Sequence, residues 1–136
     1  MLTAPEYEAQ TDTEELTWQD DALCATGGAG LTALKAFHAG FDVPLARQHH
    51  IPSHYPYRNP AGPDPQAIIQ ASVAALRRAV QEIGPGRVAA FFCEPVQGSG
   101  GVIVPPRGWL RAMQDCCRDL GILLVFDEVI TGFGRT

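Results

Sequence analysis

Residues 88–94, Val-Ala-Ala-Phe-Phe-Cys-Glu, and residues 122–128, Ile-Leu-Leu-Val-Phe-Asp-Glu, are two short apolar runs that each end in a carboxylate. Such runs are typical of strands that are buried on both faces of a parallel sheet. The residues between them are numerous enough for a crossover to a parallel neighbour. Open α/β sheets bind ligands at the carboxyl ends of their strands, so we expect Glu94 and Asp127 to share one edge and to form a site there.

Two amphipathic helices accompany these strands. The first has Asp64 as N-cap, Pro65 in its first turn and Gly84-Pro85 as its end. The second opens near Pro105-Pro106 and ends at Gly121. The order helix, strand, helix, strand predicts an α/β fold in which a mostly parallel sheet is flanked by helices. Apolar residues recur at helical spacing in both, namely Ile69, Val73, Leu76, Val80 and Ile83, then Leu110, Met113, Cys117 and Leu120.

Two strands do not make a complete sheet, because a buried parallel strand needs a neighbour on each side. We therefore expect an incomplete domain, an interior piece of a larger one, with exposed sheet edges. Residues 1–26 are acidic and predict a poorly ordered lead-in with one helical turn around residues 13–23, so the partial domain is expected at 27–136. The proline-bearing segment 44–63 is predicted to be an irregular loop.

The composition excludes several functional classes. An apolar fraction of 46% is enough for a core, and a net charge of -5 with scattered basic residues argues against a nucleic-acid partner. No apolar run approaches the length of a transmembrane helix, and the acidic N-terminus lacks the pattern of a signal peptide. We expect a cytoplasmic protein with no membrane partner.

Cysteines and histidines show no spacing typical of a metal site. Cys24, Cys93, Cys116 and Cys117 lack a CxxC motif and are expected to be buried free thiols. No carboxylate or cysteine at a recognisable spacing completes a ligand set with the three loop histidines, so no metal is expected. These histidines are His49, His50 and His54.

Asp127 has three interpretations. A carboxylate at a strand end can simply cap the loop that follows. An apolar run before Asp-Glu is also typical of a Walker B strand, whose aspartate supports Mg²⁺. That interpretation needs a Walker A loop, and the Gly-rich segment 27–30 with the later Lys35 does not match one. The third interpretation comes from a resemblance.

Residues 124–136, Leu-Val-Phe-Asp-Glu-Val-Ile-Thr-Gly-Phe-Gly-Arg-Thr, resemble the signature of the class III aminotransferases, pyridoxal-phosphate enzymes of fold type I. Residues 94–101, Glu-Pro-Val-Gln-Gly-Ser-Gly-Gly, resemble a second block of that family, and residues 104–110 are similar to the stretch between the blocks. Residues 50–58 resemble the branch that acts on ω-amino acids or alanine with pyruvate or glyoxylate.

The resemblance implies roles for particular residues. Asp127 matches the aspartate that pairs with the pyridine nitrogen of pyridoxal 5'-phosphate, where a buried carboxylate keeps that nitrogen protonated. Val129 matches the residue that packs on the ring, two positions along the strand and so on the same face. Glu94 matches a glutamate at the substrate end. Ile130 lies where other branches carry a glutamine that reaches the ring hydroxyl.

The implied reaction moves an amino group from an amine or ω-amino acid to a 2-oxo acid such as pyruvate, in a family that works as homodimers. The lysine that holds the cofactor as a Schiff base is expected beyond Thr136, and Lys35 matches no family motif. We therefore assign no catalytic residue and expect residues 1–136 alone to be inactive. The alternative is a non-catalytic remnant that associates with a full-length relative.

Overall fold

The computed structural model describes residues 30–32, 38–43, 45–57 and 59–135. Its elements are α1 (Pro65–Ile83), β1 (Ala90–Cys93), α2 (Trp109–Leu120) and β2 (Leu123–Phe126). The predicted order of helix, strand, helix and strand is confirmed. All four elements belong to the compact unit Ile51–Thr136, and a second unit comprises Met1–His50. The acidic lead-in at 1–26, its helical turn and the 26/27 boundary lie outside the described residues.

Both helices end where the sequence predicts. At the start of α1, the backbone N–H of Ala67 donates to the Asp64 side chain at 2.8 Å, which satisfies one of the free amides of the first turn. Gly84 follows α1 with φ 113°, and Gly121 follows α2 with φ 68°. These positive angles are unfavourable for residues with a Cβ, so glycine allows the chain to leave each helix. Helix α2 begins at Trp109, slightly later than the proline pair.

The two strands pair in parallel, with Phe91 opposite Leu124 and Cys93 opposite Phe126. Backbone hydrogen bonds extend the pairing by one residue at the carboxyl end, where Asp127 N–H donates to the Cys93 carbonyl at 3.0 Å. The connection between the strands contains α2, as expected for a crossover between parallel neighbours. This pairing is what brings the two strand ends together.

The core lies between the helices and one face of the sheet. Met113 is fully buried at its centre, and Phe91 and Leu124 pack against it from the strands. The expectation that both strand faces are buried is wrong for the described residues, since Phe92 is 49% exposed and Leu123 is 68% exposed. Both helices cover the same face, and nothing in the described ranges covers the other. The buried core residues are Ile69, Leu76, Val80, Trp109, Met113, Cys116 and Cys117.

The described residues between 45 and 63 contain no helix or strand, which confirms the predicted irregular loop. One of its residues nevertheless enters the core. His54 is 2% exposed, and its ring centroid lies 4.3 Å from that of Trp109 in α2. Burial lowers the pKa of His54, while a hydrogen bond with the Ile103 backbone acts in the opposite direction. His54 is therefore a neutral side chain that anchors the loop.

The described cysteines are free thiols, as predicted, and Cys116 and Cys117 are buried while Cys93 is partly buried. Loss of hydration raises the pKa of Cys93 to about 12 and that of Cys117 to about 11. Within the described part of the chain, no helix is long and apolar enough to cross a membrane.

The first prediction concerns the pH dependence of stability. Because the pKa of His54 lies below its ordinary value of 6.5 in the folded state, the unfolded chain binds the proton more readily. The free energy of unfolding should therefore decrease as the pH falls below about 6.5. We expect the free energy of unfolding of His54→Asn to decrease less at low pH than that of the unsubstituted chain, and His49→Asn to show the full decrease. Thermal unfolding at several pH values measures both. The same pH slope in His54→Asn and the unsubstituted chain would contradict the assignment.

The second prediction concerns thiol reactivity. Only the thiolate reacts with iodoacetamide, so the raised pKa values of Cys93 and Cys117 should make both thiols unreactive near neutral pH. At pH 8 we expect alkylation about a hundredfold slower than in the urea-unfolded chain, with the rate rising as the pH approaches 11. Peptide mass spectrometry assigns the modified site. Equal rates for Cys93 in the folded and unfolded chain would show that the thiol is not desolvated.

Candidate active site

The carboxyl ends of β1 and β2 form the candidate site. Glu94 directly follows β1 and Asp127 directly follows β2. The hydrogen bond from Asp127 N–H to the Cys93 carbonyl, at 3.0 Å, joins the two strand ends immediately before both carboxylates. The structure therefore places Glu94 and Asp127 at the same edge of the sheet, as the strand pattern predicts.

Asp127 differs from the expectation in two respects. Its side chain is exposed rather than buried, because β1 is the only strand beside β2 in the described residues and nothing there covers the edge. The chain also leaves the strand at Phe126, so the two-residue strand period does not relate Asp127 to Val129. Instead, Val129 N–H donates to Asp127 Oδ1 at 3.0 Å, which is an Asx-turn.

The loop after β2 folds back on itself. Arg135 Nη1 donates to the Val129 carbonyl at 2.9 Å, and Gly132 N–H donates to the Glu128 carbonyl at 2.8 Å. Val129 is 77% exposed, so its isopropyl group is accessible at the sheet edge. The turn therefore presents an apolar side chain beside the Asp127 carboxylate.

Glu94 is held by the loop that follows it. Gly98 N–H donates to Glu94 Oε2 at 2.8 Å, so the carboxylate is fixed by its own loop. That loop is closed by reciprocal backbone hydrogen bonds between Gln97 and Ile103, at 3.0 and 2.9 Å. Inside it, Val102 has φ 53° and is 69% exposed, an unusual conformation for a β-branched residue.

Gly98 is the point where the two loops meet. A Cβ built on Gly98 would lie 3.1 Å from Ile130 Cδ1 and 3.6 Å from Glu94 Oε2. Ile130, from the loop after β2, therefore packs directly on the Gly98 backbone. A side chain at position 98 would require the end of the Ile130 side chain to move by a few tenths of an ångström.

The donor set fits a protonated aromatic nitrogen. One oxygen of Asp127 is oriented by the Val129 N–H, and the other is available to accept a hydrogen bond from a ligand. A carboxylate prefers a cationic donor, and the adjacent Val129 side chain offers an apolar surface to a ring. The residues present therefore suit a planar cationic heterocycle.

Within the described ranges, no group of three histidine, cysteine, aspartate or glutamate side chains could hold a metal ion. His49 and His50 are exposed, whereas His54 is buried against Trp109. The three loop histidines thus lie in different environments.

The sequence did not indicate the residues that support the Glu94 loop. Ser53 Oγ donates to Gln97 Oε1 at 2.9 Å, and His54 is buried against Trp109. Irregular loops carry no periodic pattern, so neither contact has a sequence signal.

Comparison with known proteins shows the family to which this chain belongs. Residues 26–136 match the family described as Aminotransferase class-III. The chain belongs to the class-III aminotransferases. It is 38% identical over 119 residues to a putrescine–pyruvate aminotransferase of Pseudomonas aeruginosa, which covers 88% of this chain and 26% of that protein. An omega-amino acid–pyruvate aminotransferase of Pseudomonas putida is 61% identical over 49 residues, 36% of this chain and 11% of that protein.

Solved structures of transaminases show the same fold. An amine transaminase from an uncultivated Pseudomonas species, in a PLP-bound form, superimposes with a TM-score of 0.76 at 39% identity, over 81% of this chain and 25% of that one. The omega transaminase of Pseudomonas jessenii in complex with PMP gives 0.74 at 41% identity, over 79% and 24%. The predicted partial α/β fold is confirmed. The chain spans about a quarter of the length of the curated relatives it matches.

The third prediction tests the contact between the two loops. Gly98→Ala places a methyl group 3.1 Å from Ile130 Cδ1, so the substitution should destabilise the chain by about 1 kcal/mol. Ile130→Val removes that terminal carbon and should recover most of the loss. Thermal unfolding of the two single variants and the double variant measures this coupling.

Gly100→Ala is the matched control, because its nearest atom, Ile103 Cδ1, would be 3.5 Å from the new Cβ. This is an ordinary van der Waals distance, and a smaller loss is expected. Additive effects of Gly98→Ala and Ile130→Val would show that the side chains do not meet.

Proposed function

We propose that this chain is part of a pyridoxal-phosphate-dependent aminotransferase that transfers an amino group from an amine or ω-amino acid to a 2-oxo acid such as pyruvate. The observation that carries the proposal is the pairing of β1 with β2, which brings Glu94 and Asp127 to one edge of the sheet. Membership of the class-III family supports the reaction class. The names of two relatives, which specify putrescine or an omega-amino acid with pyruvate, support the substrate class.

Asp127 and Val129 are the residues proposed to hold the cofactor. The Val129 N–H orients the Asp127 carboxylate, whose other oxygen would accept a hydrogen bond from the protonated pyridine nitrogen. The Val129 side chain would offer an apolar contact to the ring. When bound, pyridoxal phosphate withdraws electrons from the substrate carbon that loses a proton, and a carboxylate at the ring nitrogen favours the protonated ring that does this best.

Glu94 is proposed to lie at the substrate end of the site. The Gly98 N–H restricts the orientation of its carboxylate, so Glu94 offers a fixed negative charge and hydrogen-bond acceptor. A fixed acceptor orients a cationic partner with less loss of side-chain freedom than a mobile one. We assign Glu94 to binding and orientation, and no residue of this chain to the covalent step.

Residues 27–136 are proposed to form part of the large domain of such an enzyme, and the family match from residue 26 supports this boundary. We also propose a homodimeric protein in the cytoplasm. The free thiols Cys93, Cys116 and Cys117 support a reducing compartment. The fully exposed Phe133 side chain supports an apolar contact with another subunit.

The fourth prediction tests the role of Asp127 in a complete enzyme. Residues 26–136 would replace the matching segment of the Pseudomonas aeruginosa putrescine–pyruvate aminotransferase. The chimera should transaminate pyruvate with putrescine, and Asp127→Asn should lower kcat by about a hundredfold or more. Alanine formation measures the rate, and the absorption band of the bound cofactor reports its protonation.

Glu82→Gln, on the exposed face of α1, serves as the charge-matched control and should leave kcat unchanged. If Asp127→Asn and Glu82→Gln have the same kcat in a folded chimera, the assignment of Asp127 is wrong. A folded chimera with no activity at all would count against the proposed function itself.

The fifth prediction concerns residues 1–136 alone. Lys35 is the single lysine in the sequence and is not assigned to the covalent step, so the isolated chain should not produce alanine from pyruvate and an amine. Borohydride reduction in the presence of pyridoxal phosphate should not label Lys35 in preference to the N-terminal amine, as judged by peptide mass spectrometry. Selective labelling of Lys35 would contradict this placement.

A second candidate function is a non-catalytic subunit that associates with a full-length relative. The exposed apolar side chains Phe92 and Leu123, on the uncovered face of the sheet, favour it. Co-expression with a full-length class-III aminotransferase should then yield a mixed complex on size-exclusion chromatography. The double substitution Phe92→Lys and Leu123→Lys should abolish the complex. If the unsubstituted chain and the full-length enzyme elute as separate proteins, this function is excluded.

A further inference from the structure

The loop that carries Glu94 is supported from outside by residues 53 and 54. The loop itself is closed by the backbone pair Gln97 and Ile103. Ser53 Oγ donates to the side chain of Gln97 at 2.9 Å, and the buried His54 ring faces the backbone of Ile103. Each member of the closing pair therefore lies against a different residue of the same irregular segment.

The segment that provides this support is itself fixed. His54 is buried and stacks on Trp109 with 4.3 Å between the ring centroids. Ser53 Oγ also accepts a hydrogen bond from Tyr55 N–H at 3.2 Å, which restricts the hydroxyl. Helix α2 therefore anchors His54, and the neighbouring serine is oriented by its own backbone.

His54 lies close to the loop as well as to helix α2. Its ring faces the backbone of Ile103, and both residues are buried, with His54 2% and Ile103 7% exposed. The end of the loop and the segment that supports it are therefore both packed into the interior.

These contacts form a continuous path to the carboxylate. His54 anchors the segment against Trp109, Ser53 holds the Gln97 side chain, and the amide of the next residue, Gly98, donates to Glu94 Oε2 at 2.8 Å. We propose that Ser53 and His54 are positioning residues that fix the orientation of the Glu94 carboxylate through the Gln97–Ile103 loop. The proposal rests on the proposed function only for the role of Glu94, since the geometry belongs to the chain itself.

The test is NMR spectroscopy of the 136-residue chain, with the amide of Gly98 as the reporter. An amide proton that donates to a carboxylate resonates downfield, and Glu94→Gln defines the displacement when the charged acceptor is lost. Ser53→Ala and His54→Leu should each move the Gly98 amide in that direction, by roughly half of that displacement or more. Ser53→Thr keeps the hydroxyl that donates to Gln97 and should leave the resonance near its original value.

His49→Leu is the matched control, because His49 is an exposed histidine of the same segment and should leave the Gly98 amide unchanged. An unchanged Gly98 amide in Ser53→Ala and His54→Leu overturns the proposal. So does a Gly98 displacement in Ser53→Thr as large as that in Ser53→Ala, because the hydroxyl would then not matter. A general loss of spectral dispersion in Ser53→Ala also overturns it, since Ser53 would then support the fold instead of one carboxylate.

This readout is independent of cofactor and turnover. If the Gly98 amide moves as expected but the chimera is inactive, the positioning role is supported and the proposed function is rejected. If the chimera is active but the Gly98 amide does not move, the proposed function is supported and the positioning role is rejected. In an active chimera, Ser53→Ala should raise KM by a larger factor than it lowers kcat, because Glu94 is assigned to binding.

Discussion

The parallel hydrogen bonding between β1 and β2 is the constraint on which the rest of the structure depends. It fixes the register in which Cys93 lies opposite Phe126, and so it fixes which residues emerge at the carboxyl end. A shift of β2 by one residue would move its inward-facing side chains to the other face of the sheet and turn Leu124 away from the core. The core and the site therefore depend on the same register, although they lie on different parts of the sheet.

The elements that could be predicted from sequence are those with a repeating pattern or a terminal signal. The apolar spacing of α1, its Asp64 cap and the glycine after it predict a helix with the observed ends. The positions of the strands were equally predictable, because a short apolar run that ends at a charged residue is typical of a strand. The burial of their two faces could not be predicted. That property depends on what covers the second face of the sheet, which a strand's own residues do not specify.

The site divides in the same way. Glu94 and Asp127 were predictable because parallel strands gather their carboxyl ends at one edge. The family resemblance, which the match over residues 26–136 confirms, supplied the expected cofactor. The Asx-turn at Asp127, the packing of Ile130 on Gly98 and the support from Ser53 involve irregular backbone. Such contacts depend on three-dimensional positions that a spacing rule does not contain.

The conformation of the Glu94 loop has an energetic cost at Val102. Its φ of 53° lies in the left-handed region, which disfavours a residue with a Cβ by roughly 1–2 kcal/mol. The two backbone bonds between Gln97 and Ile103 hold the chain in this conformation. The loop therefore holds Val102 in a strained backbone conformation. Breaking the Gln97–Ile103 hydrogen bonds would allow this valine to adopt an extended conformation. The same pair keeps the loop in the conformation in which the Gly98 N–H donates to Glu94 Oε2, so the orientation of the glutamate and the conformation of Val102 depend on one contact.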